Sequence, residues 1–156
     1  MPIHAERRFL PYVPEKLYDL VADIECYPEF LPWCVGARVL SREDNVVHAE
    51  LMIGFKMIRE TFTSKVSLNP PDRVDVQYQK GPFKHLQNHW EFKPHPDGCL
   101  IDFYIEFEFR SRLLRNLIEP LFNEAVRRMV SAFETRARSV YGEPAVMPNN
   151  PRAVKS

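Results

Sequence analysis

Glycine and cysteine are both scarce in this chain of 156 residues, with five of the first and three of the second. No glycine-rich phosphate cradle is present, because neither G-x-x-x-x-G-K-[ST] nor G-x-G-x-x-G occurs. G-x-S-x-G and H-E-x-x-H are also missing, which removes the hydrolase elbow and the zincin helix. Cys26, Cys34 and Cys99 are an odd number without a C-x-x-C, so neither a disulfide framework nor a zinc knuckle is indicated and a reducing compartment fits. No stretch of ~18 consecutive apolar residues exists to cross a membrane as a helix. The N-terminus has neither an apolar signal core nor the Arg/Ser-rich, acid-poor character of a transit peptide. The expected location is the cytoplasm, or a peripheral place at the inner face of the inner membrane. A formal net charge of zero and a pI near 7.0 argue against general nucleic-acid binding, and DNA is excluded as a partner.

What the chain does hold is apolar and aromatic. Hydrophobic residues make up 45% and aromatics 12%, with 11 Phe against 2 Trp, a globular composition of one-domain size. The charge is uneven: residues 110–140 carry seven Arg against three Glu, a basic segment suited to anionic lipid or RNA phosphate, or to a solvated helix face. Residues 1–142 read as one domain, and the Pro/Asn-rich residues 143–156 as a disordered tail.

Residues 3–10 read as a strand ended by Pro11, and Pro14 opens a helix over 14–22. Pro28 and Pro32 limit the following stretch to a short helical turn. From Val35 the period changes to two. Val47, Ala49, Leu51 and Ile53 share a face, then Ile58, Phe62, Val66 and Leu68, then Val74, Val76 and Tyr78, then Leu86, Trp90 and Phe92. Ile101, Phe103, Ile105, Phe107 and Phe109 form the clearest row, opposite Asp102, Glu106 and Glu108. Strict alternation predicts antiparallel strands with one wet face. A helical stripe of Leu114, Leu117, Ile118, Leu121, Phe122, Ala125, Met129, Val130 and Phe133 follows over 112–141, ~40 Å if straight, with Pro120 set to kink or split it. The fold class is therefore α+β, a curved antiparallel sheet of about seven strands wrapped around a long C-terminal helix.

Chemistry is sparse. His85 and His89 sit four apart on a strand, about 13 Å, too far for one metal ion. His4 and His95 lie near segment ends and are expected to be exposed. Cys34 has no histidine nearby in sequence. No catalytic residue and no metal ligand emerges. The polar residues that break the inward pattern are Glu60, Ser64 and Asn88, and Arg7 is placed with them. They either satisfy neighbouring backbone or orient the polar head of an apolar ligand. Alternation is the same for a filled core and for a lined cavity.

The segment Phe9–Cys34, FLPYVPEKLYDLVADIECYPEFLPWC, closely resembles the N-terminal signature of the coenzyme Q-binding protein family, which the bacterial ribosome association toxin family shares. Gly54-Phe55, Glu60-x-Phe-Thr-Ser-x-Val66, Gly81-Pro82-Phe83-x-x-Leu86, Trp90-x-Phe92 and Met129-x-x-Ala-Phe-Glu-x-Arg136 extend it over about residues 3–141. Both families belong to the START-like, polyketide cyclase/dehydrase superfamily with the helix-grip fold. The resemblance implies ubiquinone, or a similar polyprenyl lipid, as a bound ligand and not a cofactor, carried by a chaperone that supports respiratory electron transport without catalysis. It also implies a membrane surface, respiratory complexes or the ribosome as partners. A ribosome-associated growth inhibitor and a cyclase/dehydrase-type enzyme, the latter needing Glu60 as acid or base, stay open beside it. Eukaryotic members carry a presequence, and none is seen here, which points to a bacterial protein or a processed chain. The expected ligand-facing residues are Phe30, Trp33, Leu51, Ile53, Glu60, Phe62, Ser64, Val76, Tyr78, Asn88, Trp90, Phe103, Phe107, Leu117, Leu121 and Met129. Tyr27–Trp33 is expected to be a lid that dips into a membrane.

Overall fold

A computed structural model describes residues 3–55 and 57–142, so the expected tail lies outside the described residues. The strands are β1 (Ile3–Leu10), β2 (Cys34–Glu43), β3 (Val46–Phe55), β4 (Ile58–Asn69), β5 (Arg73–Lys80), β6 (Phe83–His95) and β7 (Gly98–Phe109). They form one antiparallel sheet in the order β1-β7-β6-β5-β4-β3-β2, a meander whose last strand returns beside the first. Register shifts near Cys34, Ser41, Ser64 and His85 mark bulges. Each bulge bends its strand and adds twist, which is how a meander curls around a helix.

Helix α1 (Pro14–Ala22) starts with proline at its first position, where the missing N–H costs nothing. A 3-10 turn over Ile24–Glu29 follows, and Pro28 inside it prevents continuation as an α-helix. The C-terminal helix is in two pieces. The first, α2 (Arg112–Ile118), is capped by Ser111, whose hydroxyl accepts the Leu114 N–H at 3.4 Å. Pro120 then forces a 3-10 turn over Glu119–Leu121 before α3 (Phe122–Tyr141) restarts. Gly142 ends α3 at φ 77°.

The inner face of the sheet buries Val47, Phe62, Val66, Val74, Trp90, Phe92, Phe103 and Phe107, and α3 sets Phe122, Val126, Val130 and Phe133 against them. Each such side chain contributes roughly 1.5–3 kcal/mol of transfer free energy. The outer face is laced by cross-strand ion pairs in register, among them Arg73–Glu91 at 2.8 Å and Arg38–Glu50 at 3.0 Å. Arg7 belongs to this face. It is exposed and pairs with Asp102 at 3.6 Å, because β1 is an edge strand whose odd positions point outward. His4, expected to be exposed, is instead tucked under α3: its ring nitrogen lies 2.9 Å from Glu6 and its ring packs on Phe103 and Phe122.

Both helical pieces are tied differently. The C-terminal end of α3 is fastened where β1 meets α1: Tyr12 Oη donates to the Gly142 carbonyl at 2.8 Å and Tyr141 Oη to the Lys16 carbonyl at 2.9 Å. At the other end of the sheet, Arg115 Nε donates to the Phe109 carbonyl at 2.9 Å and holds α2 to the strand it follows.

Candidate functional site

Sheet and α3 enclose a cavity of about 270 Å³. Strand alternation supplies one wall: Ala49, Leu51 and Ile53 from β3, Phe62, Ser64 and Val66 from β4, Val74 and Val76 from β5, Leu86, Asn88 and Trp90 from β6, Ile105, Phe107 and Phe109 from β7. The opposite wall is Ile118, Leu121, Phe122, Ala125, Val126, Met129 and Phe133. One end is shut by Val21 and Ile24, at 3% and 4% exposure, against Val74 and Trp90. The other end is bounded by Pro32, Trp33, Cys34, Phe55 and Leu121, of which Leu121 is 47% exposed. The cavity therefore has a floor and a mouth.

The mouth owes its shape to an unusual backbone. Trp33 has φ 64°, a left-handed conformation uncommon for a residue with a bulky side chain. Its carbonyl accepts the Gly54 N–H at 2.8 Å, which fastens the loop to β3 where β2 begins to pair. Tyr27 donates its hydroxyl to the Val21 carbonyl, and burial pushes its phenol far above the usual range. Burial also raises the Cys34 thiol, which points to the Gly36 carbonyl at 3.6 Å, so at neutral pH it keeps its proton.

Among the described residues, no carboxylate, imidazole, ammonium or guanidinium is part of the lining. The interior is electrically neutral and apolar, with few polar groups. Asn88 Nδ2 donates to the Tyr104 carbonyl at 2.8 Å, which fixes its amide. Ser64 is 1% exposed and lines the cavity. Chemically, such a site accepts a neutral apolar molecule, with Ser64 and Asn88 as the polar residues of its sheet wall.

A family model described as polyketide cyclase / dehydrase and lipid transport matches residues 10–134. The chain belongs to this family. A ribosome association toxin, RatA, of Rickettsia prowazekii is 41% identical over 137 residues, 85% of this chain and 94% of that one. A mitochondrial coenzyme Q-binding protein, COQ10 homolog B, of Xenopus laevis is 38% identical over 148 residues, and this chain spans 61% of its length. The solution structure of an 18 kDa protein from Caulobacter crescentus superposes with a TM-score of 0.75 at 36% identity, covering 92% of this chain and 100% of that one.

Within this family fold, Leu51, Ile53, Phe62, Ser64, Val76, Asn88, Trp90, Phe107, Leu121 and Met129 line the cavity, as their positions in the inward rows require, and Trp33 lines it from the loop before β2. Five expected residues do not. Phe30 lies outside, stacked edge-on against Phe133 with the Arg136 guanidinium 5.1 Å above its ring. Glu60, the third residue of β4 and opposite Ile53, is half-buried and absent from the lining. Tyr78 turns its hydroxyl to accept the Phe83 N–H at 3.1 Å and props the β5–β6 turn. Phe103 is fully packed between His4 and Trp90, in the filled part of the core. Leu117 is 43% exposed, since α2 projects beyond the sheet.

The expected lid is also corrected. Tyr27 and Leu31 point inward, and Tyr27 packs on Phe133 with centroids 5.5 Å apart, so the segment is a wall. The lining residues of α1 and the 3-10 turn, Val21, Ile24 and Tyr27, were not foreseen. Helical periodicity marks an apolar stripe without saying which cavity it closes.

Proposed function

We propose that the protein binds ubiquinone or a similar polyprenyl quinone in this cavity and carries it for respiratory electron transport without transforming it. The observation that carries the reading is the neutral, apolar cavity with the buried serine Ser64 on its wall, the Tyr27 hydroxyl being committed to the Val21 carbonyl. A quinone is an uncharged ring whose carbonyl oxygens only accept hydrogen bonds, and its isoprenoid tail gains about 0.8 kcal/mol for each CH₂ withdrawn from water. Support comes from the relative named as a coenzyme Q-binding protein. A volume of about 270 Å³ lies at the lower edge of the usual range for small-molecule pockets, so the ring and the first part of the tail are enclosed and the remainder leaves by the mouth.

Both tryptophans of the chain, Trp33 and Trp90, line the cavity. Titration with a short-chain ubiquinone is expected to quench their fluorescence saturably, and Ser64→Ala to weaken binding by about three- to tenfold, the worth of one hydrogen bond. Absence of saturable quenching, or a Ser64→Ala protein that binds as wild type, overturns the reading.

A second reading is ribosome association, favoured by the relative named for it and by the outer face of α3. There Arg127, Arg128, Ser131, Thr135, Arg136 and Ser139 border a shallow groove. Salt-sensitive co-sedimentation with ribosomal subunits, lost on Arg127→Glu, would support it; none at low salt would end it.

A further inference from the structure

We propose that the mouth end of the molecule is a docking face for an anionic lipid bilayer, built from α2 and the β3–β4 hairpin. The inference deepens the quinone reading and names the surface from which the cavity would be loaded. The sheet register gathers the starts of β2, β4 and β6 and the ends of β3, β5 and β7 at one end of the sheet, and α2 leaves β7 there. Among the described residues, the two most exposed of the large apolar side chains stand at this end: Met57 at the hairpin tip, 95% exposed, and Leu113 on α2, 65% exposed. Leu117 at 43% and Leu121 at 47% continue the row from Leu113 at intervals of four residues. Leu121 also lines the cavity, and Ile118 beside it does too. The exposed row and the cavity wall are thus one continuous apolar surface.

The charge around this surface is complementary to a bilayer bearing anionic headgroups. Arg110, Arg112 and Arg115 come from the base of α2, and Lys80 and Lys84 from the neighbouring strands; they outnumber the local acids Glu60, Glu108 and Glu119. Arg112 is exposed and carries no ion pair among the described residues. A basic rim around an apolar row is the pattern that seats at a headgroup–acyl boundary, each cation near the surface adding to the attraction. The cavity size gives the second, independent argument. A space of about 270 Å³ leaves most of a polyprenyl tail outside, and the mouth would hand that remainder to the bilayer without exposing it to water.

The test is vesicle flotation of the full chain with phosphatidylcholine alone and with phosphatidylcholine mixed with phosphatidylglycerol, at low and at physiological salt. Wild type is expected to float with the mixed vesicles and far less with the neutral ones, more strongly at low salt. Leu113→Ser and Met57→Ser, both at exposed positions, are each expected to weaken partition by about tenfold, whereas Val140→Ser, 51% exposed on α3 at the far end, leaves it unchanged. Thermal unfolding checks that each variant is folded. Equal binding to neutral and mixed vesicles, or mouth variants that float as wild type, overturns the proposal. So does a self-association that Leu113→Ser abolishes, or a preference of this face for RNA over vesicles. Short-chain ubiquinone titration in vesicle-free solution separates the two readings. Quenching without flotation removes the docking face alone, and flotation without quenching keeps the docking face while removing the quinone.

Discussion

Placing the same phenylalanine at two alanines of α3 distinguishes a hollow interior from a filled one. Ala125 lines the cavity, while Ala137, twelve residues further along the same helix, is 0% exposed and lies outside the lining. Ala→Phe costs both sites the same helix propensity, about 0.5 kcal/mol. At Ala137 the ring has no space, and overpacking adds about 1–3 kcal/mol. At Ala125 it enters a void of about 270 Å³, and burying the ring returns roughly 1.5–3 kcal/mol, so the net change is stabilising by about 1–2.5 kcal/mol. For a domain of this size each kcal/mol moves Tm by about 2–4 °C. Ala137→Phe is therefore expected to lower Tm by about 3–14 °C, and Ala125→Phe to raise it by about 2–10 °C while abolishing short-chain quinone binding. Circular dichroism melts and fluorescence titration of both proteins make the comparison. Equal destabilisation by the two substitutions would refute the hollow interior.

Further perturbations follow from the backbone and the thiols. Gly98 has φ 155° and an added Cβ would lie 2.3 Å from the Leu10 carbonyl oxygen, so Gly98→Ala is expected to cost about 1–3 kcal/mol in urea unfolding. By contrast Gly142→Ala, with nothing within 4 Å, costs only the strain of its φ of 77°. Burial pushes the Cys99 thiol up to about 11 from 9.0. The folded state then holds its proton where the unfolded chain loses it; the stabilisation is complete below about pH 9 and is lost as pH rises towards 11, about 2 kcal/mol in all. Melting curves across that interval should show the loss, and Cys99→Ala should flatten it. An unchanged slope would place the alkaline sensitivity elsewhere.

Most of the wall was legible because strands have a strict period. Once Phe62 and Phe107 are assigned inward, Ser64, Val66, Ile105 and Phe109 follow two residues at a time, and all of them face the cavity. The failures lie where period stops being informative. Glu60 and Tyr78 sit near strand ends, the Tyr78 hydroxyl taken up by the Phe83 N–H, and Phe103 faces inward but meets a packed region beneath His4. Leu117 belongs to the helical stripe, yet Pro120 turns α2 away from α3 and leaves that residue facing out. Trp33 was placed at the cavity from the sequence, but its left-handed backbone, fastened by the Gly54 hydrogen bond across the mouth, was not legible there. Whether the interior is full or hollow is a matter of volume, and residue order does not encode volume directly.

The central claim is that the cavity holds a quinone. Its most direct measurement is mass spectrometry of an organic extract of the purified protein, alongside short-chain ubiquinone binding by the emptied protein. The account predicts a co-purifying polyprenyl quinone in stoichiometric proportion, reduced in a Ser64→Ala preparation. A protein that yields no lipid and shows no affinity for added quinone would contradict it.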